Sequence, residues 1–148
     1  MAYENQSIET YSEAETIAFA ARFAQQLNAG DIVLLYGDLG MGKTVFSRAL
    51  IRALCTDEAM DVPSPTFTLV QTYDAPRGAI WHFDLYRLSD PSEIYEIGWE
   101  EALSEGMILV EWPERLNEGM VPSDAIKISL SAHQDNPDQR TIEITKHA

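Results

Sequence analysis

A short glycine-rich segment constrains the fold of this chain more than any other feature. Residues 37–44 read GDLGMGKT and match the phosphate-loop pattern G-x-x-x-x-G-K-[ST] at every specified position. In such a loop the backbone N–H groups turn toward phosphate oxygens, the lysine reaches the terminal phosphates, and the last hydroxyl binds the metal. The pattern therefore predicts that the chain binds a nucleoside triphosphate together with Mg²⁺.

The residues on either side of the loop fit the strand–loop–helix arrangement that this motif requires. Before the loop, residues 32–36 read IVLLY, a short apolar run typical of a fully buried strand. After it, apolar residues recur at helical spacing between Lys43 and Leu54. The loop is therefore expected between the carboxyl end of a strand and the N-terminus of a helix, whose dipole favours an anion.

Composition indicates one globular domain without a disulfide bond. The chain has 148 residues, a single cysteine (Cys55) and no repeat or linker-like stretch, so residues 1–148 are predicted to form a single domain. The apolar runs are far shorter than the ~20 residues that span a bilayer. Because the N-terminus also lacks a basic stretch followed by an apolar one, we expect a cytoplasmic protein without a membrane segment.

The charge balance bears on possible partners. The sequence has 24 acidic residues against 10 basic ones, for a formal net charge of −14. Direct binding to DNA or RNA is not expected, because neutralising phosphates requires a basic face. An acidic surface that only promotes solubility and one that docks on a basic partner are both compatible with this charge.

The remaining patterns predict an α/β fold: a three-layer P-loop NTPase-like sheet of mixed strand direction with flanking helices. Ser12 and Glu15 have the spacing of a capping box, which opens a first helix, and Gly30 suits its C′ position. One or two short helices are expected over residues 90–104, with a break near Gly98. Further strands are predicted at residues 66–73, 79–86, 107–112, 125–131 and 140–146.

Two carboxylates follow buried apolar runs and are candidates for holding Mg²⁺. Asp84 ends the run at residues 80–83, and Glu111 ends the run at residues 108–110. Phosphate-loop proteins need a second acidic group for the metal, usually at the end of another strand. We therefore expect both carboxylates at the edge of the sheet that carries the phosphate loop. Their separate roles stay open from the pattern alone.

Four further residues near these carboxylates are open to more than one interpretation. Thr66 follows two prolines before a predicted strand, which is typical of switch segments that contact the γ-phosphate and also of ordinary proline-rich connections. We interpret His82 as a structural histidine rather than a base. Arg87 could contact a phosphate, but we expect an ion pair with Asp84 or Asp90. Trp112 is either a core aromatic or an exposed part of the site.

Four sequence blocks in this order closely resemble the TsaE family, also called YjeE. The blocks read YGDLGMGKT at residues 36–44, SPTFTLV at 64–70, HFDLYRL at 82–88 and EWPE at 111–114. The likeness runs from about residue 12 to residue 140. Met41 stands where the family more often has alanine, a difference that we expect to be tolerated.

The resemblance implies a function that the residue patterns alone do not give. Members of the family are bacterial ATPases, weakly active alone, that are needed to make threonylcarbamoyladenosine in tRNA. They work with the TsaD–TsaB complex, in which TsaD transfers the threonylcarbamoyl group to adenosine 37. The resemblance thus implies that ATP and Mg²⁺ are the cofactors and that tRNA is met only through the partners. Hydrolysis would reset the partner complex for further turnovers.

The same resemblance implies roles for individual residues. Lys43 would contact the β- and γ-phosphates, Thr44 and Glu111 would ligate Mg²⁺, and Asp84 would support the metal or the attacking water. Thr66 would belong to the nucleotide-sensing switch. The remaining implied contacts are with the phosphates, through Leu39, Gly40, Met41, Gly42, Lys43 and Thr44, and with the base or ribose, through Glu13 and Arg140.

Two other classes of phosphate-loop protein fit the sequence less well. A small-molecule kinase would use the same loop, but it usually needs an arginine-rich lid, and the arginines here are few and scattered. A GTP-binding switch would need the guanine-specifying motif Asn-Lys-x-Asp, and no asparagine in the chain is followed by lysine. No arginine is clearly placed to stabilise the transition state from within the chain. We therefore hypothesise that a contact from a partner raises the hydrolysis rate by ~10³-fold or more.

Overall fold

A seven-stranded mixed sheet organises the chain in the computed structural model, which describes residues 5–38 and 40–146. The strand order is β1-β7-β6-β2-β5-β4-β3. Strands β4, β5, β2 and β6 run parallel, whereas the pairs β1–β7, β6–β7 and β3–β4 are antiparallel. The strands are β1 (Asn5–Thr10), β2 (Ile32–Tyr36), β3 (Val70–Ala75), β4 (Gly78–Asp84), β5 (Met107–Glu111), β6 (Ile126–Ala132) and β7 (Arg140–Lys146).

Helices cover both faces of this sheet and make three layers, which confirms the predicted fold class. On one face lie α1 (Glu13–Ala24) and α2 (Lys43–Leu54). The other face carries α3 (Trp99–Glu105) and a 3₁₀ helix (Pro91–Ile97). Two shorter 3₁₀ helices, Pro113–Arg115 and Glu118–Met120, follow β5. Over residues 5–38 and 40–146, no helix is long and apolar enough to cross a membrane.

The α1–α2 layer is held by aromatic packing. The rings of Phe19, Phe23 and Phe46 lie with centroids 6.4 Å apart in each pairing, and all three side chains are buried. Burying a side chain of this size contributes about 1.5–3 kcal/mol. This packing fixes α2, and with it the phosphate loop at its N-terminus, against the sheet.

The start of α1 was predicted correctly and its end was not. Ser12 Oγ accepts the Glu15 N–H at 3.1 Å, as a capping residue should. The helix ends at Ala24, however, and Gly30 lies in the turn before β2 rather than at the C′ position. The reason is tertiary: Arg77, from the β3–β4 turn, donates to the Leu27 carbonyl at 2.9 Å and also to that of Gln25. These bonds satisfy carbonyls that a glycine motif would otherwise serve.

Two strand predictions need correction at their ends, and one strand was missed. The strand expected at residues 66–73 starts only at Val70, because Leu69 takes a left-handed φ of +70° and its N–H bonds the Pro65 carbonyl at 2.6 Å. The strand expected at 79–86 ends at Asp84. Strand β1 was not predicted at all, because this edge strand is largely exposed and offers a single β-branched apolar residue, Ile8.

The other elements appear where the sequence predicted them. Helix α2, strand β5 and the β6–β7 pair match their expected residues to within one position. The helical segment before β5 breaks at Gly98, where φ is +98° and a Cβ atom would lie 2.8 Å from the ring of Trp81. Both the backbone conformation and this close approach require glycine.

Candidate nucleotide site

The phosphate loop connects the carboxyl end of β2 to the N-terminus of α2. Gly42 caps the helix with a φ of +100°, which residues with a Cβ rarely adopt. Gly37 has a φ of +149°, and a Cβ there would lie 2.9 Å from the Leu130 carbonyl oxygen. Glycine is therefore required at both ends of the loop. The predicted phosphate contact of Leu39 lies outside the described residues.

Lys43 is buried within the loop rather than extended into solvent. Its side chain is 5% exposed, and Nζ donates to the Gly37 carbonyl while lying 3.2 Å from the ring centroid of Trp112. Burial lowers the pKa of Lys43, and the carboxylates of Glu114 and Glu111 oppose that shift. The ammonium is thus held by a carbonyl and an aromatic face, two partners that a phosphate group can replace with stronger charge-assisted bonds.

A cleft of about 400 Å³ lies between this loop and the ends of β4 and β5. Seven of the residues predicted from the sequence line it, together with Val45, Tyr86 and Trp112. Asp84 and Glu111 are paired across β4 and β5, and they are 4% and 3% exposed. The seven predicted lining residues are Gly40, Gly42, Lys43, Thr44, Thr66, Asp84 and Glu111.

Both oxygens of Asp84 are hydrogen-bonded. Thr66 Oγ1 donates to Oδ2 at 2.9 Å, and the backbone N–H of Tyr86 donates to Oδ1 at 3.1 Å. Because the hydroxyl proton of Thr66 is used on Asp84, the contact of 2.8 Å between Ser64 Oγ and Thr66 Oγ1 must have Ser64 as the donor. The chain before β3 is in this way connected directly to a carboxylate of the cleft.

Glu111 is held through one oxygen only. His82 Nε2 lies 2.7 Å from Oε2, and Ser47 Oγ lies 3.1 Å from the same atom. Oε1 has no hydrogen-bond partner among residues 5–38 and 40–146. His82 is 2% exposed, and the partner of its Nε2 is a carboxylate of the cleft.

Aromatic side chains border the cleft. The rings of Tyr86 and Trp112 have centroids 4.9 Å apart, and Trp112 has a left-handed φ of +61°. Strained backbone of this kind in residues other than glycine clusters at functional sites. The predicted ion pair of Arg87 is wrong: its guanidinium lies over the ring of Phe67, 4.4 Å from the centroid, and Phe67 is 80% exposed.

Glu13 and Arg140 lie beside the loop, outside the main cleft. They line a small neighbouring cavity of about 80 Å³ with Met41, Gly42 and Asp138. Arg140 Nε donates to the Met41 carbonyl at 3.0 Å, which connects β7 to the phosphate loop. The side chain of Met41 packs against the apolar cluster under α1 and α2, so methionine is accommodated there.

The oxygen atoms around the cleft suit Mg²⁺ in combination with phosphates. Within the parts of the chain that the structure describes, no three His, Cys, Asp or Glu side chains converge on a metal-binding point. Mg²⁺ is usually bound through one or two carboxylates plus substrate phosphates, so such a cluster is not needed. Thr44, Glu111 and Asp84 supply hydroxyl and carboxylate oxygens in this cleft, the donor type that Mg²⁺ prefers.

Comparison with known proteins identifies the family. The model of the family described as "Threonylcarbamoyl adenosine biosynthesis protein TsaE" matches residues 10–142. The chain belongs to the TsaE family. Proteins named tRNA threonylcarbamoyladenosine biosynthesis protein TsaE are similar to it: that of Rickettsia bellii is 48% identical over 90% of both chains, and that of Bacillus subtilis is 34% identical over 92% of this chain and 82% of the relative.

A solved structure supports the same assignment. The crystal structure of Bacillus subtilis YdiB superposes with a TM-score of 0.74 at 28% identity, covering 100% of this chain and 89% of that chain. The resemblance recognised from the four sequence blocks is therefore confirmed at the level of family and fold.

Two features of this TsaE-family site were missed or undecided in the sequence. The sequence patterns do not predict a role for Ser47, although a serine on the buried side of α2, four residues after Lys43, is a detectable departure from the apolar pattern. They leave the role of Trp112 open because only the folded chain brings its ring against Lys43. Neither contact follows from local sequence, since each joins elements far apart in the chain.

Proposed function

We propose that this chain is a Mg²⁺-dependent ATPase that serves the threonylcarbamoyl modification of adenosine 37 in tRNA. One observation carries the proposal: Lys43, Thr44, Asp84 and Glu111 line a single cleft next to a phosphate loop, in a chain of the TsaE family. Relatives that are up to 48% identical over most of the chain carry the name of this biosynthetic route.

In this proposal, phosphate binding relies on the loop backbone and Lys43. The N–H groups at the start of α2 and the helix dipole would attract the phosphates. Lys43 would leave the Gly37 carbonyl and contact the β- and γ-phosphates. Thr44 and Glu111 would hold Mg²⁺, which would neutralise charge that develops on the phosphates. Asp84, fixed by donors on both oxygens, would support the metal or orient the attacking water.

The base and ribose are proposed to lie toward Glu13 and Arg140. These residues border the small cavity next to α1, whereas the two carboxylates line the main cleft. A nucleotide whose phosphates occupy the loop would therefore direct its terminal phosphate to Asp84 and Glu111. Its sugar would lie toward α1 and β7.

Partner proteins are proposed to complete the activity. Among the described residues, no arginine lines the cleft, which supports an arginine or ordering contact supplied by a partner. A contact from the TsaD–TsaB complex could raise the rate by ~10³-fold or more. The net charge of −14 fits a protein that meets tRNA through partners rather than directly.

A reconstituted modification assay tests the proposal. Purified TsaD–TsaB, the enzyme that makes threonylcarbamoyl-adenylate, and tRNA are combined with wild-type chain, Lys43→Ala or Glu111→Ala. Modified tRNA is then counted per TsaD. The wild type should support multiple turnovers and both variants should not, while Lys127→Ala, an exposed control on β6, should behave as wild type. Full turnover with both cleft variants would remove the proposed role of hydrolysis.

A further inference from the structure

Two buried polar side chains contact Glu111 but do not line the cleft. Ser47, on α2, is 0% exposed, and His82, in the middle of β4, is 2% exposed. Both contact Glu111 Oε2, and neither lines the cleft that Glu111 itself borders. Burying polar groups costs free energy unless they are hydrogen-bonded, so their convergence on one oxygen requires an explanation.

The two contacts differ in strength. Ser47 Oγ lies 2.8 Å from the Lys43 carbonyl oxygen and 3.1 Å from Glu111 Oε2. A hydroxyl has one proton, so only one of these contacts can be a full hydrogen bond at a time. His82 Nε2 lies 2.7 Å from Glu111 Oε2 and has no competing acceptor among the described residues. His82 is therefore the main donor and Ser47 the auxiliary one.

The surroundings of His82 select its tautomer. Nδ1 is buried and has no partner within residues 5–38 and 40–146. With the proton on Nδ1, a donor would be buried unpaired and a lone pair would face the carboxylate, both of which are costly. With the proton on Nε2, the ring donates to Glu111, and only the unprotonated Nδ1, an acceptor, is left without a partner. The second arrangement is the one that the structure accommodates.

We propose that His82 and Ser47 are positioning residues that orient Glu111 for the Mg²⁺–nucleotide complex, an inference that rests on the proposed function. His82 and Ser47 both contact Oε2, so Oε1 remains the oxygen without a partner, and the Glu111 side chain lines the cleft. Hydrogen bonds to a metal-ligating carboxylate commonly change metal affinity by 10–100-fold. His82 then acts through Glu111 and never touches the nucleotide.

The test measures how Mg²⁺ strengthens nucleotide binding, which does not depend on turnover. The dissociation constant of a fluorescent ATP analogue is determined for the full chain at a series of free Mg²⁺ concentrations, including chelator alone. His82→Leu should bind the analogue without Mg²⁺ within about twofold of wild type, because the loop is intact. The Mg²⁺ concentration needed for half of the full effect should rise about 10–100-fold.

Two further variants separate positioning from simple packing. In His82→Gln the amide nitrogen can still donate to Glu111, so we expect most of the Mg²⁺ effect to return. Ser47→Ala, which removes only the shared contact and suits a helix, should raise the required Mg²⁺ measurably above that of Ile142→Val, but by less than tenfold. Ile142→Val, which trims a buried side chain on β7, controls for loss of stability and should leave the Mg²⁺ dependence unchanged.

The outcomes distinguish this inference from the proposed function. If the wild type shows no Mg²⁺-strengthened binding and no hydrolysis, the proposed function itself fails. If the wild type shows both, and His82→Leu and Ser47→Ala match Ile142→Val, the positioning role alone is overturned. Should His82→Leu fail to fold, His82→Gln and Ser47→Ala decide the matter. An unchanged Mg²⁺ dependence in Ser47→Ala would then count against the inference.

Discussion

Replacing Thr66 by valine tests whether the chain before β3 controls Asp84. Thr66 Oγ1 donates to Asp84 Oδ2 at 2.9 Å, and Asp84 is 4% exposed. Valine keeps the shape of the side chain and removes this donor, together with the exposed acceptor that Thr66 offers to Ser64. A hydrogen bond to a charged group contributes about 1.5–3 kcal/mol. Because Thr66 is itself only half-buried, we expect the free energy of unfolding in urea to fall by about 1.5 kcal/mol.

The same variant should be defective in hydrolysis, because Asp84 loses one of the two donors that fix its orientation. A loss of about 1.4 kcal/mol in transition-state stabilisation corresponds to a tenfold fall in kcat, which is the size that we expect. Thr66→Ser keeps the hydroxyl and is the matched control for both measurements.

A double-mutant cycle with Asp84→Ala isolates the contact itself, because alanine removes the acceptor that asparagine would keep. We expect a coupling free energy of about 1 kcal/mol between the two positions, since they touch directly. A coupling within about 0.3–0.5 kcal/mol of zero, together with an unchanged kcat in Thr66→Val, would refute the reasoning.

Three further outcomes are expected. Gly37→Ala should lower the free energy of unfolding by about 1–3 kcal/mol in urea, because its φ is +149° and the new Cβ would lie 2.9 Å from a carbonyl oxygen; an unchanged midpoint would contradict the close approach. Burial lowers the pKa of Lys43 below its ordinary value of 10.5, so the folded state loses this proton at a lower pH than the unfolded state. The free energy of unfolding of the wild type, relative to that of Lys43→Met, should therefore rise as the pH approaches 10.5. A decrease in this relative free energy would show that the pKa is shifted in the opposite direction. Chelating Mg²⁺ with EDTA should abolish hydrolysis and leave the Tm of the nucleotide-free chain unchanged, as measured by calorimetry.

The parts of the fold that were predicted correctly depend on local patterns. The phosphate loop, α2 and the strand-end carboxylates each follow from a few consecutive residues whose types and spacing fix the backbone. The segment at residues 66–69 was predicted as strand because its residues favour strands. The folded chain instead bends it toward Asp84 through Thr66 and the left-handed Leu69. Tertiary contacts overrode propensity there.

The parts that could not be predicted depend on contacts between distant elements. Arg77, from a turn that is far away in sequence, donates to carbonyls at and just beyond the end of α1, those of Ala24, Gln25 and Leu27. Ser47 and His82 reach Glu111 from α2 and β4, although neither belongs to an acidic or metal-binding pattern. The buried position of Lys43 against Trp112 is of the same kind. Such contacts depend on how distant elements pack together in the folded chain, which local sequence patterns do not determine.

The most direct test of the account is hydrolysis of ATP by the purified chain, with and without TsaD–TsaB, for wild type, Lys43→Ala and Glu111→Gln. We expect weak Mg²⁺-dependent release of phosphate by the wild type, strong stimulation by the partner complex, and neither in the two variants. Equal rates for wild type and both variants, or hydrolysis that is indifferent to Mg²⁺, would contradict the assignment of the cleft as a Mg²⁺–ATP site.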